Sequence, residues 1–215
     1  MADIFDLFKK ISHESAPRAS ITHIVVGLGN PGKEYETTRH NAGFLCMDYI
    51  AQKYGVRVDR VKFNALCGEA TINGVGVLLL KPQTYMNESG TAVQQAAAFY
   101  KVPVENIVVL CDDVNLDVAR LRVRRNGSDG GQRGLRSIIK QMGSEEMPRI
   151  RIGVGQKPHP DFDMAAWVLS NFTSKELDAL SQSFVAAEVG LRKVLAGDFD
   201  GAMQHCNGFV AGGKA

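Results

Sequence analysis

At 215 residues, 45% hydrophobic and with a formal net charge of +2, the chain has the material for one globular domain with a sizeable core. No apolar run approaches the ~18 residues that span a bilayer. Its four cysteines, Cys46, Cys67, Cys111 and Cys206, include no C-x-x-C pair, which argues against a zinc site and a disulfide framework and fits a reducing cytoplasm.

Residues 1–20 carry acids early and lack a basic start followed by an apolar stretch, so they are no secretory signal. They read as an extension, a short amphipathic helix (Ile4, Leu7, Phe8, Ile11) with a polar linker, ahead of a single domain over 21–215. "THIVVGL" is a buried strand candidate ending in glycine. The next segment predicts a helix from about Thr38 to Tyr54, with Phe44, Met47, Ile50 and Tyr54 on one face and Gly55 as its stop. "CGEATINGVGVLLLKP" reads as two strands about Asn73-Gly74, a dipeptide suited to a type I′ hairpin turn. "SGTAVQQAAAFYKV" is an alanine-rich helix. "NIVVLCDD" is apolar enough for a central strand buried on both faces, and "ARLRVRR" alternates apolar with basic.

A glycine-rich loop, "NGSDGGQRG", leads into a short helix, "LRSIIKQM", and "PRIRIGVG" is a further strand. Thr173 with Glu176 forms a capping-box start for the long helix that follows. The elements sum to an α/β fold, a single domain with a mixed β-sheet flanked by helices on both sides.

Charge is unevenly spread. Between Ala119 and Lys157 stand ten Lys/Arg against three acids, and the rest of the chain is net acidic. One basic region on an acidic molecule points to a polyanion such as nucleic acid.

Gly27, Gly29 and Gly32 in "GLGNPG" spell G-x-G-x-x-G, the dinucleotide fingerprint. That motif needs a helix starting within the glycines, to meet the pyrophosphate, and then a parallel strand. Here Pro31-Gly32 turns the chain, charged residues delay the helix, and an antiparallel hairpin comes next. The glycines instead let the chain leave the strand tightly and expose Asn30 at its carboxyl end, with His40 near the start of the next helix.

"GLGNPGKEYETTRHNAGF", "KPQTYMNESG", "VVLCDDVNLDVARLRVR", "GSDGGQRGLRSII" and "PRIRIGVG", in this order and spacing, resemble the bacterial peptidyl-tRNA hydrolase family from about Thr22 through the long helix. The resemblance implies a monomeric cytoplasmic enzyme without metal or cofactor. Such an enzyme cleaves the ester between a peptide and the 3′ ribose of tRNA, recycling the tRNA. His40 matches the family's general base and Asp112 the carboxylate that orients it, an assignment resting on the family match because Asp113 stands beside it. Asn30 matches an amide that distinguishes a blocked peptidyl group from a free amine. Asn87 matches a substrate-contacting amide, with helix capping as its structural alternative. Tyr35 and Tyr85 match aromatic positions lining the cleft. Water activated by His40 would attack the ester carbonyl directly, since the chain has no G-x-S-x-G elbow.

Binding of tRNA would rest on phosphate contacts, and the Gly130-Gly131 loop could add backbone N–H groups at a helix start. One departure falls in that loop. The family usually carries histidine then asparagine where this chain has Gln132 and Arg133, and the asparagine's substrate-binding role does not carry over to an arginine that only donates.

Overall fold

The computed structural model describes residues 19–212. The expected N-terminal amphipathic helix lies outside them. Seven strands form one sheet: β1 Ile21–Gly27, β2 Arg60–Lys62, β3 Ala65–Ile72, β4 Val75–Pro82, β5 Ile107–Asp113, β6 Leu121–Arg124 and β7 Arg149–Gly153. Their order is β2-β3-β4-β1-β5-β7-β6. The inner strands β4, β1, β5 and β7 run parallel, while β2 and β3 at one edge and β6 at the other pair antiparallel. The helices are α1 Ala42–Lys53, α2 Ser89–Tyr100, α3 Arg133–Met142, α4 Met164–Val168, α5 Ser174–Leu195 and α6 Phe199–Asn207. The mixed sheet with helices on both faces is the expected architecture. No helix among the described residues is long and apolar enough to cross a membrane.

Strand alternation builds two cores. Val108 and Leu110 of β5 pack with Met47 and Ile50 of α1 and Leu191 of α5. Ile107, Val109 and Cys111 point the other way, to Val93 and Ala96 of α2 and Leu135 and Ile138 of α3. All seven residues of β5 are buried, as its unbroken apolar run requires. The hairpin turns where expected, with Asn73 at φ 50° and Gly74 at φ 82°, as a type I′ turn demands. Thr173 and Glu176 complete the capping box of α5. All four cysteines are buried free thiols.

One expectation needs correction, and two elements were not anticipated. The first helix does not begin at Thr38. Thr38 bridges to Asn171, Arg39 to Asn41 form a 3-10 turn, and the α-helix starts only at Ala42. The Arg39 N–H donates to the Ser170 carbonyl at 3.0 Å, so this stretch is held as a strand-like clasp before it can coil. The two elements, β2 and α4, were not legible because three and five residues are too few to display a period.

Candidate active site

β1 and β5 lie side by side and parallel, and their carboxyl ends form the edge of a crevice, where ligands of open α/β sheets bind. Two glycines let α1 approach that edge. A Cβ on Gly43 would lie 2.4 Å from the Leu110 carbonyl oxygen and 2.6 Å from the Leu28 nitrogen. A Cβ on Gly27 would lie 2.7 Å from the Gly43 oxygen. With no side chain at either position, the start of α1 rests on the end of β1 and on the middle of β5, and the Phe44 N–H reaches the Leu28 carbonyl at 3.1 Å. Gly27, the first glycine of the stretch that resembles a cofactor loop, thus serves a close helix–strand contact.

That contact sets His40 over β5. Its Nδ1 is 2.9 Å from Asp112 Oδ2, and both residues are buried. A carboxylate only accepts, so Nδ1 carries the proton and donates, leaving Nε2 as the free base. Burial pushes the imidazole pKa down and the Arg133 charge lowers it too. The charge and hydrogen bond of Asp112 outweigh both, and the pKa ends above the usual 6.5.

Asp112 and Asp113 are now distinguished. Asp113 points away, accepting from the Asn115 N–H at 2.9 Å and pairing with Arg151 at 3.0 Å.

Asn30 is held by two neighbours. The Asn41 side chain accepts from the Asn30 N–H at 2.8 Å and donates to its carbonyl at 3.0 Å. Asn30 Oδ1 accepts from the Met86 N–H at 2.8 Å. A backbone N–H can only donate, which fixes the amide and leaves Nδ2 as the end available to a ligand. Asn30, Tyr35, His40, Tyr85, Asn87 and Arg133 all line one open cleft of about 250 Å³. An adjoining cavity of about 390 Å³ shares His40 and Arg133 and adds Asp112. Every site residue expected from the sequence therefore meets here. Tyr85 is largely exposed, at 64%. Asn87 does not cap α2, whose N-cap is Glu88 without a side-chain hydrogen bond; Asn87 sits in a preceding 3-10 turn.

The sequence reading gave no site role to three contributors. Asn41 was visible only as the residue after His40. Gln132 donates to Asp112 Oδ1 at 3.0 Å. Arg39 is buried and forks onto both carboxylate oxygens of Glu176, at 2.9 and 3.2 Å. It also donates to the Val154 carbonyl at 2.9 Å and lies 3.9 Å over the Trp167 ring. It bolts the turn bearing His40 to α4 and α5.

The basic segment needs correction as well. Arg149 is 2% exposed, and its guanidinium fills a nest of carbonyls from Gly127, Ser128, Glu145 and Met147. It organises the glycine-rich loop and faces no ligand. Arg120 reaches the Phe209 carbonyl at 2.6 Å. Arg122, Arg124, Arg125, Arg133, Arg136 and Lys140 remain exposed. The Gly131 N–H, expected to be open to a ligand, donates to Asp129 at 2.7 Å.

A parallel-centred sheet with a buried histidine–carboxylate pair and hydrogen-bonding amides gathered at its strand ends places the chain among α/β proteins whose ligand site lies at the carboxyl ends of the strands. The peptidyl-tRNA hydrolase family model matches residues 24–213. The peptidyl-tRNA hydrolase of Caldicellulosiruptor bescii is 46% identical over 188 residues, 87% of this chain and 98% of that one. Its counterpart from Carboxydothermus hydrogenoformans is 48% identical over 184 residues, 86% and 97% of the two chains. Among solved structures, peptidyl-tRNA hydrolase from Acinetobacter baumannii superposes with a TM-score of 0.82 at 33% identity, covering 91% of this chain and 98% of its own. The chain belongs to the peptidyl-tRNA hydrolase family.

Proposed function

We propose that this cleft hydrolyses the ester between a peptide and the 3′ ribose of tRNA, with His40 as general base. A water molecule gives its proton to His40 Nε2 as its oxygen attacks the ester carbonyl. The tetrahedral intermediate collapses with cleavage of the bond to the ribose oxygen, which takes the proton back from His40. Peptide and tRNA leave separately and no acyl-enzyme forms. Asp112 keeps the imidazole in the working tautomer and favours the imidazolium that appears midway.

Asn30 Nδ2 and the Asn87 amide are the donors for the oxyanion or for the peptide carbonyl next to it. An amide that reads a peptide group gives a free ammonium no counter-charge, which favours blocked substrates. Tyr35 and Tyr85 offer flat faces to the terminal base and sugar. The exposed arginines and Lys140 hold backbone phosphates, with binding that weakens as salt rises. The enzyme works as a cytoplasmic monomer.

One observation carries this reading: a histidine bonded to a buried carboxylate lines the same cleft as two amides and two tyrosines. The test is release of N-acetyl-aminoacyl groups from tRNA. His40→Ala should lower kcat by about 10²-fold or more while tRNA affinity stays nearly unchanged. Turnover retained in that variant removes His40 as the base.

A further inference from the structure

We infer that Gln132 is a positioning residue for the reaction, a neutral clamp that fixes the Asp112 carboxylate and through it the tautomer and orientation of His40. This rests on the reading of His40 and Asp112 as the hydrolytic pair.

Gln132 is buried at the N-cap of α3. Its Oε1 accepts from the Leu135 N–H at 2.6 Å and its Nε2 donates to Asp112 Oδ1 at 3.0 Å. The two contacts determine the amide independently and agree. The Leu135 N–H can only donate, so oxygen faces it; a carboxylate can only accept, so nitrogen faces Asp112. Asp112 then has a donor on each oxygen, Gln132 on Oδ1 and His40 on Oδ2, and its plane cannot turn about the Cβ–Cγ bond. Remove the first donor and the carboxylate is free to swing within its pocket, carrying the imidazole with it.

Capping alone does not account for a glutamine here. Helix N-caps favour Ser, Thr, Asp and Asn, whose short side chains turn back on their own backbone. The longer amide spans the gap from the helix end to the strand end, and no acidic or basic side chain supplies donor and acceptor together at every pH. Gln132 Nε2 also lies 3.2 Å from Met86 Sδ, and Met86 is the residue whose N–H orients Asn30. One amide thus touches the supports of both the base and the substrate-reading group.

Gln132→Ser separates the two roles, because serine caps α3 without reaching Asp112. Its Tm and its KM for N-acetyl-aminoacyl-tRNA should stay near wild type while kcat falls about tenfold or more. Gln132→Glu keeps the acceptor but sets a second carboxylate against Asp112, and the acid limb of its pH–rate profile should move to higher pH. Wild-type kcat in a folded Gln132→Ser protein would overturn the inference, leaving a helix cap only. So would a wild-type pH profile in Gln132→Glu, whatever the serine variant does. Turnover surviving in His40→Ala is a different failure, of the acid–base pair itself, and would take this inference down with it.

Discussion

Replacing Asp112 with asparagine keeps the shape of the site and inverts one hydrogen bond. The outcome depends on which end of the new amide faces His40, and Gln132 decides that. Its Nε2, aimed at position 112 from 3.0 Å, needs an acceptor, so the asparagine oxygen turns towards it. The asparagine NH2 is left facing His40 Nδ1, which now has to accept. The proton moves to Nε2, and the nitrogen meant to take a proton from water has no free lone pair to accept it. Recovering the working tautomer requires flipping the asparagine, which sets NH2 against NH2 and strands two buried donors. At roughly 1–3 kcal/mol for each, the penalty is about 2–6 kcal/mol, or some 30-fold to 10⁴-fold in rate.

Two measurements check this. Steady-state kinetics should show kcat down by that factor with KM little changed. The pH profile should also move: without the charge that holds the His40 pKa up, burial and Arg133 prevail, and the acid limb moves to lower pH. A second substitution sharpens the test. In Asp112→Asn/Gln132→Glu, the new carboxylate accepts from both the Leu135 N–H and the asparagine NH2, turning the asparagine oxygen back to His40 Nδ1. Activity should rise above that of Asp112→Asn alone, a coupling no pair of independent defects produces. Near-wild-type kcat in the single variant, or further loss in the double, refutes the tautomer argument.

Arg133→Asn removes a charge that lowers the His40 pKa, so the acid limb of kcat/KM should move to higher pH. A neutral base is the active form, so the variant loses rate at low pH and keeps it above the raised pKa. Its KM for tRNA should rise more than kcat falls if Arg133 holds a phosphate; an unchanged KM removes that contact. Gly43→Ala places a methyl group 2.4 Å from the Leu110 oxygen and 2.6 Å from the Leu28 nitrogen, backbone atoms that cannot swing aside. Overpacking of this kind costs about 1–3 kcal/mol, to be read as a lower Tm, and kcat should drop because α1 backs away from β5. A wild-type melting curve would show that the helix does not rest there.

The architecture was legible because its signals are local. An Asn-Gly hairpin, a capping box and an unbroken apolar strand each specify their own geometry. The site was legible only partly, and the reason lies in β5. A strand buried on both faces shows no alternation, so "CDD" gives no clue which aspartate meets the histidine; the choice is made by the face on which α1 lands. Arg149 misleads in the opposite sense. In "RIRIG" the arginines alternate like residues of a solvent face, yet one is buried in carbonyls that a glycine-rich loop folds around it.

The same distinction explains why Gln132 was noticed only as a departure. A side chain whose function is to span a helix end and a strand end has partners at positions 112 and 135, neither recognisable as a pair until α3 is docked. Both departing positions nonetheless face the same centre, Gln132 through Asp112 and Arg133 through its charge on His40. One supports the acid that raises the base's pKa and the other lowers that pKa from across the cleft. Substitutions there should therefore shift the pH range of activity at least as readily as they abolish it, whereas loss of His40 should lower turnover at every pH.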